Sequence, residues 1–381
     1  MKTPWRVSRV NMRAMIPPRH SGQVNPTDLF LFTAIILLVA FGLNILLASS
    51  SFMAREQFSD PYFFLKKQAF AAFVGFLGML AMTQIDPEKY RHLVWPAYVI
   101  TLVLLVLVFV PGIGKRAGGA NRWIVVGGLS IQPSDFAKVS LVLVLARIYS
   151  QAKEVDFRLS VTTLAIIALP AFLIGIEQDL GTAIHLVLVA GALLFFTRYP
   201  LSMQFGALVA VIAAVSYVIV KTPFRLTRIK AFLDPWESRF DAGFQLVASM
   251  KAFLAGGLVG KGFGEELVRH HLQERHTDFI LAIVAEDFGA MGVIALLFMY
   301  FFIAVYGIVQ ASRLRDDFMR LIATGFLLSL ILQVIINSGV TMGLLPTKGI
   351  NLPLVSNGGT SLVVYLVMCG IMLSALRREQ V

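Results

Sequence analysis

The sequence predicts an all-α membrane protein, a polytopic transmembrane helical bundle of about ten spans with one large structured extracytoplasmic loop. Three observations carry that expectation. The 381 residues are 57% hydrophobic and only 14% charged, with a mean hydropathy of +0.77, which is too apolar for an ordinary soluble chain. Apolar stretches recur along the whole length, and a hydrocarbon core of about 30 Å needs about 20 such residues per helix. Most connections between the stretches are only a few residues long, as in a compact bundle.

The spans fall at 29–49, 66–84, 93–110, 136–150, 160–176, 181–197, 204–220, 279–309, 319–339 and 359–376, so that 29–376 reads as one membrane domain. Residues 1–28 form a basic tail with Lys2, Arg6, Arg9, Arg13 and Arg19 and no apolar run, which places them in the cytoplasm. The first apolar run is longer than a signal-peptide core and is read as a span, despite the small residues from Ala48 to Ser50. Threading outward from the tail puts Lys89, Arg91, Arg147, Lys153, Arg158, Arg198, Arg313, Arg315, Arg320 and the 377–381 terminus inside. Both termini are then cytoplasmic. The loop 221–278 breaks the pattern, because it lies outside yet holds nine Lys or Arg between Lys221 and Arg275. Long loops are translocated regardless of charge, so the topology survives and those cations need another reason. Contact with anionic lipid accounts for the inner part of the +11 formal charge and leaves the external cations unexplained. Nucleic acid is not an expected partner. Cys369 is the only cysteine, which excludes an intrachain disulfide and a cysteine metal cluster.

Three extracytoplasmic segments, 112–135, 221–278 and 339–359, are rich in glycine and polar residues. In the large loop Pro235 is expected to open a helix in which Phe244, Val247, Ala248, Lys251 and Leu254 recur at helical spacing. Gln245 and Ser249 share its opposite face, and Gly256, Gly257, Gly260, Gly262 and Gly264 end it. Such a helix is expected to lie along the bilayer surface. The run Gly256 to Lys261 looks like a phosphate-binding loop, but it is one residue short and Gly262 stands where a Ser or Thr would hold magnesium. His270, His271 and His276 lack the spacing of a helical zinc pair, so no metal site is assigned.

Asp278 stands between Thr277 and the apolar run Phe279 to Val284, at the mouth of a span. Partial desolvation there can raise a carboxylate into a general-base range, yet Asp also caps helices routinely. From the residues alone both readings stand, the cap ahead. Glu286 and Asp287 follow two turns further in, and charges at membrane depth are expected to border one polar pocket with Asp278. Lys115, Arg116, Arg122, Lys138 and Lys348 supply cations for a phosphate-bearing lipid, headgroup anchoring being the alternative. Asp179 either pairs with one of them or caps the sixth span.

Three segments resemble one family, the SEDS proteins (shape, elongation, division and sporulation) of bacterial wall synthesis, and the resemblance extends over nearly all the spans. Asn337, Gly343 to Ile350 and Leu354 to Ser361 follow the family signature in order, with Asn357 at a position usually Tyr, Ser or Ala. Asn121 to Ile124 and Ile131 to Lys138 match the first outer-loop motif, with Asp135 for the common Glu. His276 to Ile280 matches the segment bearing the family's essential aspartate. Glu286-Asp287-Phe288-Gly289 replaces Glu-Glu-Leu-Gly, and Glu177-Gln178-Asp179 lacks the proline usual before that aspartate. Phe232 to Trp236 and Pro346 to Gly349 look more like the cell-division branch than the elongation branch.

The resemblance implies a peptidoglycan glycosyltransferase that polymerises lipid II, the undecaprenyl-diphosphate-linked disaccharide-pentapeptide, at the division septum on the outer face of the bacterial inner membrane. Asp278 would be the general base, and substrate contact is expected at Arg122, Gln132, Lys138, Asp179, Gln245, Ser249, His276, Thr277, Glu286, Lys348 and Ser356. A divalent cation (Mg or Mn) can share the diphosphate charge, although no ligand set is visible. A class B penicillin-binding transpeptidase and other divisome membrane proteins are the implied partners, beside the lipid bilayer. An elongation polymerase of the same family, a lipid II flippase and a scaffold are the alternatives.

Overall fold

The computed structural model describes residues 26–117, 120–126, 129–152, 154–197, 199–262 and 275–378. The tail cations Lys2 to Arg19, Lys153, Arg198, Gly264, His270, His271 and residues 379–381 lie outside the described residues. The helices are α1 (Pro26–Phe58), α2 (Phe63–Gln84), α3 (Pro87–Leu107), α4 (Pro133–Gln151), α5 (Phe157–Ile176), α6 (Leu180–Leu194), α7 (Leu201–Lys221), α8 (Pro223–Leu233), α9 (Phe244–Gly256), α10 (Ile280–Ala311), α11 (Asp317–Thr341) and α12 (Gly359–Arg378). All but α8 and α9 correspond to the ten expected spans.

Local chemistry sets several of the helix starts. Pro87, Pro133 and Pro223 stand in the first turns of α3, α4 and α8, where a missing N–H costs nothing. Asp86, Asp156 and Asp316 cap α3, α5 and α11 by accepting backbone N–H bonds. Among the described residues eight helices are long and apolar enough to cross a membrane by themselves. Neither α6, with 15 residues, nor α4 is among them. Burial is the reason α4 tolerates a polar face: Ser134, Asp135, Lys138 and Ser140 are shielded by α3, α6 and α11 rather than facing lipid. At the other extreme α7 buries none of its residues and sits at the edge of the bundle.

Three departures from the expected architecture matter. Residues 112–135 are not simply a polar loop. They form a three-stranded antiparallel sheet, β1 (Gly114–Ala117), β2 (Ala120–Val126) and β3 (Leu129–Ile131). The glycine pairs at 118–119 and 127–128, which separate the strands in sequence, were the hairpin signal.

The second departure is in α10, which is broken rather than continuous, because Gly289 takes φ 66° and ψ −169°. The break frees backbone groups at membrane depth, where each must find a partner. Lys261 and Gly262 donate N–H bonds of 3.0 Å to the Glu286 and Asp287 carbonyls. Ala290 and Met291 in turn donate to the carbonyls of Gly257, at 2.9 Å, and Leu258, at 3.1 Å. Residues 257–262 therefore thread into the gap and mend the helix. A Cβ at Gly260 would lie 2.2 Å from the Asp287 carbonyl oxygen, so the chain passes there only without a side chain.

The third departure follows from the second. Because its C-terminal end leads into that gap, α9 docks on α10 and α11 instead of lying along the bilayer surface. Its buried face is Leu246, Val247, Ala248, Ser249, Ala252 and Gly256, while Lys251 and Leu254 are exposed. Pro235 begins a run of turns, and the helix opens only at Phe244.

Candidate active site

The sheet, the turn between α5 and α6, the 222–262 and 275–279 segments and the 342–358 loop gather at one end of the bundle, and their mutual hydrogen bonds build the site. Asp278 belongs to a turn over 275–279 that leads into α10. The N-cap of that helix is Phe279, without a side-chain cap, so Asp278 stands one residue before the cap position. Asp278 is therefore not the N-cap residue itself.

The backbone around Asp278 is pinned at three successive carbonyls. Asn357 N–H donates to His276 O at 2.9 Å, Ser356 Oγ donates to Thr277 O at 2.6 Å, and Asn337 Nδ2 donates to Asp278 O at 2.8 Å. Asn337 Nδ2 also reaches Ile350 O at 2.7 Å, and Leu352 N–H donates to Ser356 Oγ at 2.8 Å. Gln68, buried on α2, fastens the same loop by donating to Ser356 O at 3.0 Å and accepting from Gly358 N–H at 3.1 Å. The three bonds to the 276–278 carbonyls join two of the resembling motifs, so segments far apart in sequence form one rigid frame. The Asp278 carboxylate stands half-buried above it, where a Cβ at Gly349 would be 3.2 Å from Oδ2. The His276 ring packs on Phe64 with centroids 4.9 Å apart.

Cations approach Asp278 from several elements. Arg228 of α8 lies within the field of both Asp278 and Arg122, and Arg228 Nη1 donates to Thr347 O at 3.5 Å. Burial and then Arg122 hold its guanidinium below the ordinary value, while Asp278 pulls it back up. On β2, Arg122 donates through Nη2 to Gln178 O at 2.8 Å. Lys348 is pushed down to about 8 by burial and by Arg225, against the pull of Asp179. Arg225 and Arg228 were not singled out in the sequence. Their spacing of one helical turn on α8 was the available signal.

Asp179 does both things expected of it. It caps α6 by accepting from Thr182 N–H at 3.1 Å, it accepts from Gln132 Nε2 at 3.3 Å, and its charge reaches Lys348. Beside it, Glu177 is 1% exposed, and neither carboxylate oxygen has a hydrogen-bond partner among the described residues. Burial, reinforced by Asp179 and opposed by Arg122, pushes its carboxyl up to about 8.

Several expected contact residues lie beneath the site. Lys138 is 5% exposed and donates to Asp135 Oδ1 and Gln333 Oε1, each at 2.9 Å. It underpins the site from inside the bundle, because its charge is already matched. Ser249 is fully buried and donates to Thr341 O at 2.7 Å, and Ser356 is occupied by the clamp described above. Glu286 and Asp287 are buried at the helix break and do not share the half-exposed setting of Asp278. Gln245 is half-buried on α9, and Lys115 is exposed on β1; the Arg116 side chain lies outside the described residues. Among the described residues no group of three or more His, Cys, Asp or Glu is arranged to hold a metal ion, so no chemical step is assigned to one.

The family model described as "Cell cycle protein", covering FtsW, RodA and SpoVE, matches residues 28–381. The chain belongs to the FtsW/RodA/SpoVE family. A probable peptidoglycan glycosyltransferase FtsW of Geobacter sp. (strain M18) is 35% identical, over 93% of this chain and 98% of the relative. The corresponding protein of Legionella pneumophila is 32% identical over 93% of this chain and 94% of its own length. Among solved structures, a chain of a peptidoglycan synthase complex that coordinates polymerisation and crosslinking superposes with TM-score 0.78, at 27% identity over 92% of this chain and 98% of that one. The Thermus thermophilus rod shape determining protein RodA gives 0.68 at 25% identity, over 92% and 96% of the two chains. The all-α membrane fold is thus that of the FtsW/RodA/SpoVE family, as the sequence motifs imply.

Proposed function

We propose that this chain is a peptidoglycan glycosyltransferase of the FtsW type, which polymerises lipid II during septal wall synthesis with Asp278 as general base. The observation that carries the reading is the convergence of Asp278 with Arg122, Arg228 and Lys348 at one mouth of the bundle. The acceptor sugar hydroxyl loses its proton to the Asp278 carboxylate as its oxygen bonds to the donor's anomeric carbon. The bond from that carbon to the diphosphate oxygen breaks at the same time, and the configuration inverts. Leaving as an anion, the lipid diphosphate develops charge that Arg122, Arg228 and Lys348 stabilise. Arg suits the bidentate phosphate contact, and Lys348 supplies a point charge.

Three further features support the reading. The pinned carbonyls at 276–278 hold the base on a rigid frame, as proton abstraction requires. The cations around Asp278 gather at one mouth of the bundle, and the deeper Lys138 is closed off by Asp135 and Gln333 rather than open to a path, which favours an enzyme over a flippase. Resemblance to a complex that joins polymerisation to crosslinking supports a transpeptidase of the penicillin-binding class as partner. Purified protein, assayed with lipid II and that partner, should form glycan strands, and Asp278→Asn should lower the rate by at least about 10²-fold while leaving the thermal midpoint within a few degrees. Strand synthesis by Asp278→Asn at the wild-type rate would remove the assignment of the base.

A further inference from the structure

The connection between α5 and α6 has only three residues, and each holds something different. Glu177 closes α5 and is buried. Asp179 opens α6 and ties Gln132 to Thr182. Between them Gln178 adopts φ 64°, one of three non-glycine residues with positive φ among those described. That conformation crowds a Cβ, and a residue stays in it only where its surroundings dictate it. Here both flanking helices are packed into the bundle, and Gln178 N–H is already held by Gly175 O at 3.1 Å. With those ends fixed, the positive φ turns the Gln178 carbonyl toward β2, where it accepts the 2.8 Å bond from Arg122 Nη2. Among the described residues no hydrogen bond of the Gln178 side chain enters this arrangement.

We propose that Gln178 is a positioning residue for polymerisation: its left-handed backbone aims a carbonyl at Arg122 and so holds the guanidinium toward the substrate diphosphate. The inference rests on the assignment of Arg122 to that diphosphate. A guanidinium has five donors in a fixed plane, so one bond to a backbone carbonyl orients the rest without using them up. The proline usual at this place in the family cannot take a positive φ, whereas Gln178 can, and in this chain it does.

The substitutions that test this separate the backbone from the side chain. Gln178→Gly keeps the left-handed conformation at lower cost. Gln178→Val keeps the N–H but strongly disfavours positive φ, and Gln178→Pro forbids it and also removes the bond to Gly175. Steady-state polymerisation of lipid II by the full chain with its partner should give Gln178→Gly a KM near the wild-type value. Gln178→Val and Gln178→Pro should raise KM about tenfold with little change in kcat. Adding Arg122→Ala to Gln178→Val should cost no more than about twofold beyond Arg122→Ala alone. Should the proline variant fail to fold by its thermal midpoint, the valine variant decides. A wild-type KM for Gln178→Val, damage from Gln178→Gly equal to that from valine, or full additivity with Arg122→Ala would overturn the inference alone. A wild-type KM for Arg122→Ala would overturn the diphosphate assignment as well.

Discussion

Two charge centres in this molecule use the same residue types to opposite ends. Asp135 and Lys138 meet at 2.9 Å with both side chains 5% exposed, inside a shell in which Lys138 reaches Gln333 Oε1, Tyr365 OH donates to the same oxygen at 2.6 Å, and Gln333 Nε2 holds Asn351. Asp278, Arg122, Arg228 and Lys348 lie above, partly exposed, with their cations spread over α8, β2 and the 342–358 loop. Inside, Asp135 and Lys138 match each other through Oδ1 and Lys138 is bonded further to Gln333, so the centre is a structural joint. Among the described residues Arg122, Arg225, Arg228 and Lys348 stand at the mouth with Asp179 and Asp278, which leaves positive field for an anionic guest. The two are connected, because Asn351 of the inner network belongs to the loop that carries Lys348 and Gly349.

If that contrast is right, substitutions at the two centres should fail in different measurements. The largest effect is expected inside: Lys138→Ala leaves Asp135 buried and unpaired, which should destabilise the fold by about 3–5 kcal/mol. Replacing the pair together by Asp135→Leu and Lys138→Met should recover most of that loss in a thermal melt. A Lys138→Ala variant with normal stability and raised KM would place this residue in the upper centre instead. At the mouth, Arg228→Ala should leave the melting curve nearly unchanged and raise the KM for lipid II by about tenfold, the scale of one charge-assisted hydrogen bond.

A smaller effect is expected from pH. With Lys348 pushed down to about 8, raising the pH through 8 discharges it, so the KM should climb between pH 7 and 9. Lys348→Arg stays charged and should show a flat profile over that range. A wild-type profile equally flat would detach Lys348 from the diphosphate. The smallest change is expected at Glu177, whose carboxyl is pushed up to about 8 from 4.5. Between those values the folded chain binds more protons than the unfolded one, so this group makes stability fall as pH rises through the window. Glu177→Gln abolishes this pH dependence, and its advantage in thermal midpoint over the wild type should widen from pH 5 to 8.

Legibility in the sequence followed the range of the interactions. Helix positions were readable because lipid demands about 20 apolar residues per span, and α4 was placed to within a few residues in spite of its short, polar stretch. The break at Gly289 was not readable, since a glycine among apolar residues looks the same whether or not a distant segment inserts beside it. Likewise Ser356 and Ser249 carry polar side chains in motif positions, and only their partners Thr277 and Thr341 reveal that the hydroxyls serve the backbone. Arg225 and Arg228 appeared as unexplained external charge until α8 brought them over Lys348 and Asp278.

By itself, then, the sequence determined the membrane-spanning class, the order of the spans and the candidacy of Asp278, because composition, length and residue type act within a single segment. The tertiary structure decided which acid is a cap and which stands before the helix, and which lysine is paired within the bundle and which remains available at its mouth. Those distinctions depend on desolvation and on partners supplied from distant segments, as when Asn337 and Gln68 clamp the loops around Asp278.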